Sequence, residues 1–284
     1  MPAAVEGRLV SVGDTRLNIV ERGEGYPLIV LHGGPGLDHR MFGDYLDPLT
    51  DAFSLLLVDQ RAQGRSERPP EETWTLAQMA ADVDALARSL ELDRYAVLGH
   101  SYGAFVALQN AVDFRGAAER TIVSSGLPSA RFLAELDDTL AAFEPVELRA
   151  RVTRSWEREK HVQTVEECAE LLHDQLPFHF RDFDVIPEYE RRTSGAVYSP
   201  EVLRRFANED YGGIEVEHRL AEITQPVLVL AGRHDRTCPV AAAEATAAGI
   251  PNADLVVFEH SGHMTFVEEN ARYLEVLRDF LQAE

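Results

Sequence analysis

Tyr95-Ala96-Val97-Leu98-Gly99-His100-Ser101-Tyr102-Gly103-Ala104-Phe105-Val106-Ala107-Leu108 is the stretch on which the reading of this chain turns. Its opening residues form a short apolar run typical of a buried strand, and its closing residues suit a helix. Between them stands Gly99-His100-Ser101-Tyr102-Gly103, a G-x-S-x-G sequence. A serine held on so tight a strand-to-helix turn needs small neighbours, because side chains at the flanking positions would clash. The turn also places Ser101 at a helix N-terminus, where backbone N–H groups favour developing negative charge. A serine hydroxyl is a weak nucleophile unless a base removes its proton, so a histidine and a carboxylate that orients it are expected on other loops.

Working outward, short runs rich in Val, Ile and Leu recur at Leu28 to Leu31, Ser54 to Val58, Tyr95 to Leu98, Arg120 to Ser124, Val227 to Ala231 and Asp254 to Glu259, after an opening hairpin of Arg8 to Val12 and Arg16 to Glu21. Helical patterns lie between most of them. The clearest is Leu76 to Leu90, with Leu76, Met79, Ala80, Val83, Leu86, Ala87 and Leu90 on one stripe. This alternation predicts a mostly parallel sheet covered by helices on both faces. From about Leu127 to Leu220 the alternation stops and only helical pattern remains, broken by Pro145, Pro177, Pro187, Pro200 and Gly212-Gly213. That interval is too long for a strand-to-helix connection. The expected organisation is a core of residues 1–126 and 221–284 with a helical cap inserted at 127–220, closed by an amphipathic helix over Glu268 to Gln282.

Two later strand ends supply the missing partners. Val227 to Ala231 runs into Gly232-Arg233-His234-Asp235, and Asp254 to Glu259 runs into His260-Ser261-Gly262-His263. Asp235 and His263 are the expected orienter and base, in the chain order Ser, Asp, His. His260 is the nearest competitor, but at the strand end it is expected to pack beneath the loop. Asp254 and Asp210 follow no central strand. Leu31-His32-Gly33-Gly34-Pro35-Gly36 directly follows another strand, and its glycines let the main chain approach a substrate. The N–H groups of Gly34 and Tyr102 are the expected oxyanion donors, with Gly33 against the substrate.

The chain has 27 Lys plus Arg against 48 Asp plus Glu, a net charge of −21 over 284 residues. Such an acidic surface repels phosphate backbones and anionic lipid, which excludes nucleic acid and membrane as expected partners. Its plainest reading is solubility. Two cysteines, Cys168 and Cys238, suggest a reducing compartment rather than a disulfide framework. With no basic start followed by an apolar stretch in Met1 to Gly7, a cytoplasmic setting is expected. The histidines lack ligand spacing with Cys or carboxylates, so no metal is expected, and the chemistry calls for no cofactor. Nothing in the sequence fixes an oligomeric state.

At these residues the sequence resembles the α/β-hydrolase superfamily, and within it the proline iminopeptidase family of serine aminopeptidases. The resemblance rests on His32-Gly33-Gly34-Pro35-Gly36, on Asp59-Gln60-Arg61-Ala62-Gln63-Gly64-Arg65-Ser66 and on Gly232-Arg233-His234-Asp235 followed by Cys238-Pro239. It implies an α/β-hydrolase fold, Ser101, Asp235 and His263 as the triad, and a small-molecule or short-peptide substrate with a free N-terminal residue. Haloalkane dehalogenases and epoxide hydrolases are expected to carry Asp where Ser101 stands. Ala62 replaces a family glycine, a minor change unless φ is positive there. The resemblance further implies cap glutamates that grip an ammonium, and a buried cation needs such a partner. Glu209 is the first choice among Glu188, Glu190, Glu201 and Glu209. Cys238 is expected to line the pocket without acting as a nucleophile. The same triad would equally serve an esterase or lactonase acting on a small ester, and a binding or sensor protein could share the fold.

Overall fold

In chain order the strands are β1 (Arg8–Ser11), β2 (Arg16–Arg22), β3 (Tyr26–Leu31), β4 (Phe53–Val58), β5 (Ala96–His100), β6 (Arg120–Ser124), β7 (Val227–Gly232) and β8 (Ala253–Phe258). They form one sheet in the order β1-β2-β4-β3-β5-β6-β7-β8. The β1 and β2 pairings are antiparallel, and every pairing from β4 to β8 is parallel. This computed structural model describes residues 7–283; residues 1–6, on which part of the reading of the N-terminus rests, and residue 284 lie outside the described residues.

The strand period of two explains how the sheet is covered. In β7, Val227, Val229 and Ala231 face one apolar layer while Leu228 and Leu230 face the other. The first layer is closed by α1 (Leu76–Ser89) and α2 (Tyr102–Asp113), and the second by α10 (Asn270–Gln282). Thr75 caps α1, its side chain accepting from the Gln78 N–H, and the stripe from Leu76 to Ala87 lies buried. The closing helix is broken near its start into α9 (Thr265–Glu268) and α10.

Between β6 and β7 the chain is helical: α3 (Leu136–Ala141), α4 (Val146–Glu159), α5 (Val165–His179), α6 (Ile186–Arg192) and α7 (Pro200–Ala207), with α8 (Val240–Gly249) following β7. A bridge between Ser129 and Glu215 ties together the two ends of this inserted run. Thr164 and Glu167 form a capping box at the start of α5. In α4 the buried positions are Val152, Ser155 and Glu159, one helical stripe that turns a carboxylate inward.

Buried carboxylates at the end of β4 and on α1 fix the turns beside the sheet, and a third, Asp38, reaches the inserted segment. Asp59 sits at the end of β4 with both carboxylate oxygens engaged: Oδ1 accepts from the His39 N–H and ring, and Oδ2 from Asn18 and the Arg65 N–H. Burial raises its pKa, but these donors, His39 first, outweigh it and hold the group down near about 2. Asp38 beside it accepts from the Arg40 and Val197 N–H groups. Although the ligand atoms of Asp38, His39 and Asp59 lie within 4.8 Å of one another, their oxygens are already occupied by these donors. Arg61 is fully buried and forks onto Asp82 at 2.7 Å through Nε and 2.7 Å through a terminal nitrogen. Ala62 has φ 62°, so the replacement of a glycine there is the awkward case: an L-residue in left-handed backbone.

Candidate active site

The carboxyl ends of the central parallel strands converge on one cleft. At the end of β5, Ser101 has φ 57° and ψ −121°, a strained conformation at the N-terminus of α2. The flanking glycines are dictated by contact: a Cβ on Gly99 would stand 2.1 Å from the Gly103 carbonyl oxygen, and one on Gly103 would stand 2.3 Å from the Leu31 oxygen. Both clashes are with backbone, which cannot rotate away. The Ser101 N–H donates to the Ser124 carbonyl at 2.9 Å, stitching the turn to β6.

Asp235 lies beyond β7 and His263 beyond β8, and the structure brings them together. His263 Nδ1 donates to Asp235 Oδ2 at 2.8 Å, and both side chains are buried. The other carboxylate oxygen, Oδ1, accepts from the Thr237 hydroxyl at 2.8 Å and from the N–H groups of Thr237 and Cys238, each at 2.9 Å. Burial works to raise the Asp235 pKa, but the imidazole and these N–H donors prevail and hold it below the ordinary carboxylate value. The backbone of His263 is fixed as well: its N–H donates to the His179 carbonyl at 2.8 Å, and its carbonyl accepts from the Ser125 hydroxyl at 2.9 Å.

Two further imidazoles flank the His263 ring, His100 at 5.0 Å and His179 at 5.1 Å between centroids. Burial pushes His179 down to about 3 and His100 well below its usual value, so both stay neutral beside that ring.

Ser101 and His263 open into a cavity of about 430 Å³ whose far walls come from the inserted helices. Gly34, with φ 108°, and Tyr102 line it on the Ser101 side. As the first residue of α2, Tyr102 carries an N–H that the helix cannot use. Gly33 stands behind, where a Cβ would come 2.9 Å from that of Ser101. Cys238 is buried on the cavity wall, and burial pushes its thiol well above the usual range.

Two expectations need correction. Glu209 is outside the cavity: it follows the end of α7 and turns back along that helix to Arg205 at 3.4 Å, its side chain half exposed. Two buried carboxylates line the cavity, Asp38 and Glu159; Glu159, at the end of α4, accepts from Gln175 at 2.6 Å and from the Tyr211 hydroxyl. Burial raises its pKa to about 7 against the pull of these two donors. Nothing in the charge-rich sequence of α4 singles it out, since its partners Gln175 and Tyr211 lie on other elements. His260 is exposed rather than packed beneath its loop, and its N–H donates to the Glu269 carboxylate at 2.9 Å. Sequence reasoning also missed Thr237, Ser125, His179, Trp156 and Tyr211.

Residues 26–270 match the family described as alpha/beta hydrolase fold. A proline iminopeptidase of Saccharolobus solfataricus is 30% identical over 285 residues, spanning 92% of this chain and 86% of that protein. Among solved structures, an alpha/beta fold family hydrolase from Bacillus anthracis superposes with a TM-score of 0.81 at 23% identity, covering 96% of this chain and 98% of that one. An esterase from Exiguobacterium antarcticum gives a TM-score of 0.77 at 21% identity, covering 98% of this chain and 100% of that one. Among the described residues no helix is long and apolar enough to cross a membrane.

Proposed function

Because the chain belongs to the α/β-hydrolase fold family, we propose that it is a serine hydrolase that removes an N-terminal residue from short peptides or amides. In this reading His263, oriented by Asp235, takes the proton of Ser101 as its Oγ attacks the carbonyl carbon. The N–H groups of Gly34 and Tyr102 hold the resulting oxyanion. The leaving amine departs with the proton from His263, and water, activated by the same imidazole, releases the acyl group from Ser101. The core is assigned to residues 1–126 and 221–284, with the inserted helices of 127–220 as its cap. Cys168 and Cys238, both buried and unpaired, suit a cytoplasmic setting.

The observation that carries the aminopeptidase reading is Glu159, a buried carboxylate on the same cavity as Ser101 and His263. Near pH 7 an apolar surrounding leaves this acid poised between its charged and neutral forms. An ammonium placed against it would favour ionisation and obtain the partner a buried cation requires. Glu190, paired with His173 on the same cavity, supplies a second and more exposed acid. The iminopeptidase relative supports the same substrate class. A second reading, hydrolysis of small carboxylic esters, is favoured by the apolar walls that Phe105, Leu133, Leu136 and Leu172 provide. The deciding experiment compares prolyl p-nitroanilide with its N-acetyl derivative. Turnover of the first and not the second is expected, and equal turnover of both would remove the amine requirement.

A further inference from the structure

Residues 177–182, where α5 ends, are held from two sides by charged neighbours of the proposed triad. Arg236, next in sequence to Asp235, directs one terminal nitrogen of its guanidinium at the carbonyls of Phe180 at 2.9 Å, Phe178 at 3.1 Å and Pro177 at 3.5 Å. The carbonyl left in that run, His179, accepts from the His263 N–H at 2.8 Å. Four successive carbonyls at a helix end, which a helix cannot satisfy internally, are thus taken up by the acid loop and the base loop. The guanidinium also lies over the Phe143 ring, 5.1 Å from its centroid, between α3 and α4.

The opposite flank uses the opposite charge. Glu268, at the end of α9, accepts from the N–H groups of Arg181 at 2.9 Å and Asp182 at 2.8 Å through one oxygen, and from Gly262 at 2.7 Å through the other. Gly262 is required for this approach, since a Cβ there would stand 2.7 Å from the His179 carbonyl oxygen. Cation to carbonyls and carboxylate to N–H groups are charge-assisted bonds, stronger than neutral ones, and Arg236 is half-buried.

We infer that Arg236 and Glu268 form a polar clasp that positions the inserted helices over the cleft, acting through α5. The same helix carries Gln175, which holds Glu159, and Leu176 and His179, which line the cavity. Loss of the clasp therefore changes how the far wall meets a substrate while the Asp235–His263 pair keeps its own hydrogen bond. Arg236 and Glu268 are positioning residues.

The test is Arg236→Met beside the conservative Arg236→Lys, which retains a cation able to donate to the same carbonyls. Two readouts are taken: hydrogen exchange of peptides spanning 176–182 and 260–266, and steady-state kinetics on prolyl p-nitroanilide and p-nitrophenyl acetate. The kinetic readout rests on the hydrolase reading, whereas the exchange readout does not. The clasp predicts that Arg236→Met speeds exchange in 176–182 by tenfold or more and raises KM for the anilide at least tenfold with kcat within threefold, acetate turnover changing by less than threefold. Arg236→Lys should fall between this variant and the unmodified protein in both readouts. Unchanged exchange in 176–182 would overturn the clasp, as would equal loss on both substrates, which would place Arg236 in support of Asp235 instead. If the unmodified protein cleaves neither substrate, the hydrolase reading fails and the exchange result alone decides the clasp.

Discussion

Replacing Glu159 by Gln separates the stability of this protein from its proposed activity. The Glu159 carboxyl is buried, and its pKa stands at about 7 against an ordinary value of 4.5. The native state therefore holds this proton more tightly than the unfolded chain. As pH rises from about 4.5 through 7, the unfolded chain ionises first and the protein loses stability; above the folded value the full penalty is present. At about 1.4 kcal/mol per pKa unit, the displacement corresponds to about 3 kcal/mol. Gln keeps an amide that Gln175 and Tyr211 can still bond, without the buried charge. Glu159→Gln should therefore be more stable than the parent at pH 8.5 by up to about 3 kcal/mol and nearly equal to it at pH 4.5, read from urea denaturation midpoints. If the carboxylate holds an ammonium, kcat/KM on prolyl p-nitroanilide should fall at least ~30-fold, the result of leaving about 2 kcal/mol of charge pairing unmade. p-Nitrophenyl acetate, which carries no ammonium, should lose far less. A stability difference independent of pH would refute the burial argument, and undiminished anilide turnover would refute the amine-binding role.

Three other substitutions test separate parts of the account. Gly103→Ala, at a helix position where Ala is ordinarily favoured, should instead destabilise by about 1–3 kcal/mol because the new methyl meets the Leu31 and His32 carbonyl oxygens; a gain in the thermal midpoint would contradict this packing. Arg61→Met leaves Asp82 buried without its cation and should lower stability by about 3–5 kcal/mol, most of which an Arg61→Met, Asp82→Leu double variant recovers. Failure of the double variant to recover would assign the loss to the second partner of Arg61, Asp14 at 2.7 Å, or to packing. Thr237→Val removes the hydroxyl that donates to Asp235 at 2.8 Å and should reduce kcat about tenfold on amide and ester alike, since both use the same base. A loss confined to one substrate would move Thr237 from orienting the acid to touching the substrate.

What the sequence made legible follows from how local each constraint is. Gly99 is imposed by the backbone of its own turn and Gly103 by the end of the neighbouring strand β3, and both stand within five residues of Ser101, so a short motif announces the turn. Asp235 and His263 are marked by strand ends, because in a parallel sheet the loops at the carboxyl ends share one edge. Glu159 was illegible by contrast. It lies in a charge-rich helix with Glu147 and Glu157, and what buries it is Gln175 on α5 and Tyr211 after α7, partners fixed only when the inserted helices pack. Glu209, flanked by aromatic residues in sequence, found Arg205 one helical turn back and stayed at the surface. Ala62 shows the same limit at a smaller scale: its identity is visible in the sequence, but its φ of 62° is set by the turn that packs Arg61 against Asp82.

The most direct test of the central claim is covalent. The protein would be treated with a fluorophosphonate at neutral pH, and the modified residue located by peptide mass spectrometry in parallel with Ser101→Ala and His263→Ala variants. The account predicts a single adduct on Ser101, absent from the Ser101→Ala protein and formed far more slowly when His263 is removed. An adduct on another residue, or labelling of Ser101 at the same rate without His263, would contradict it.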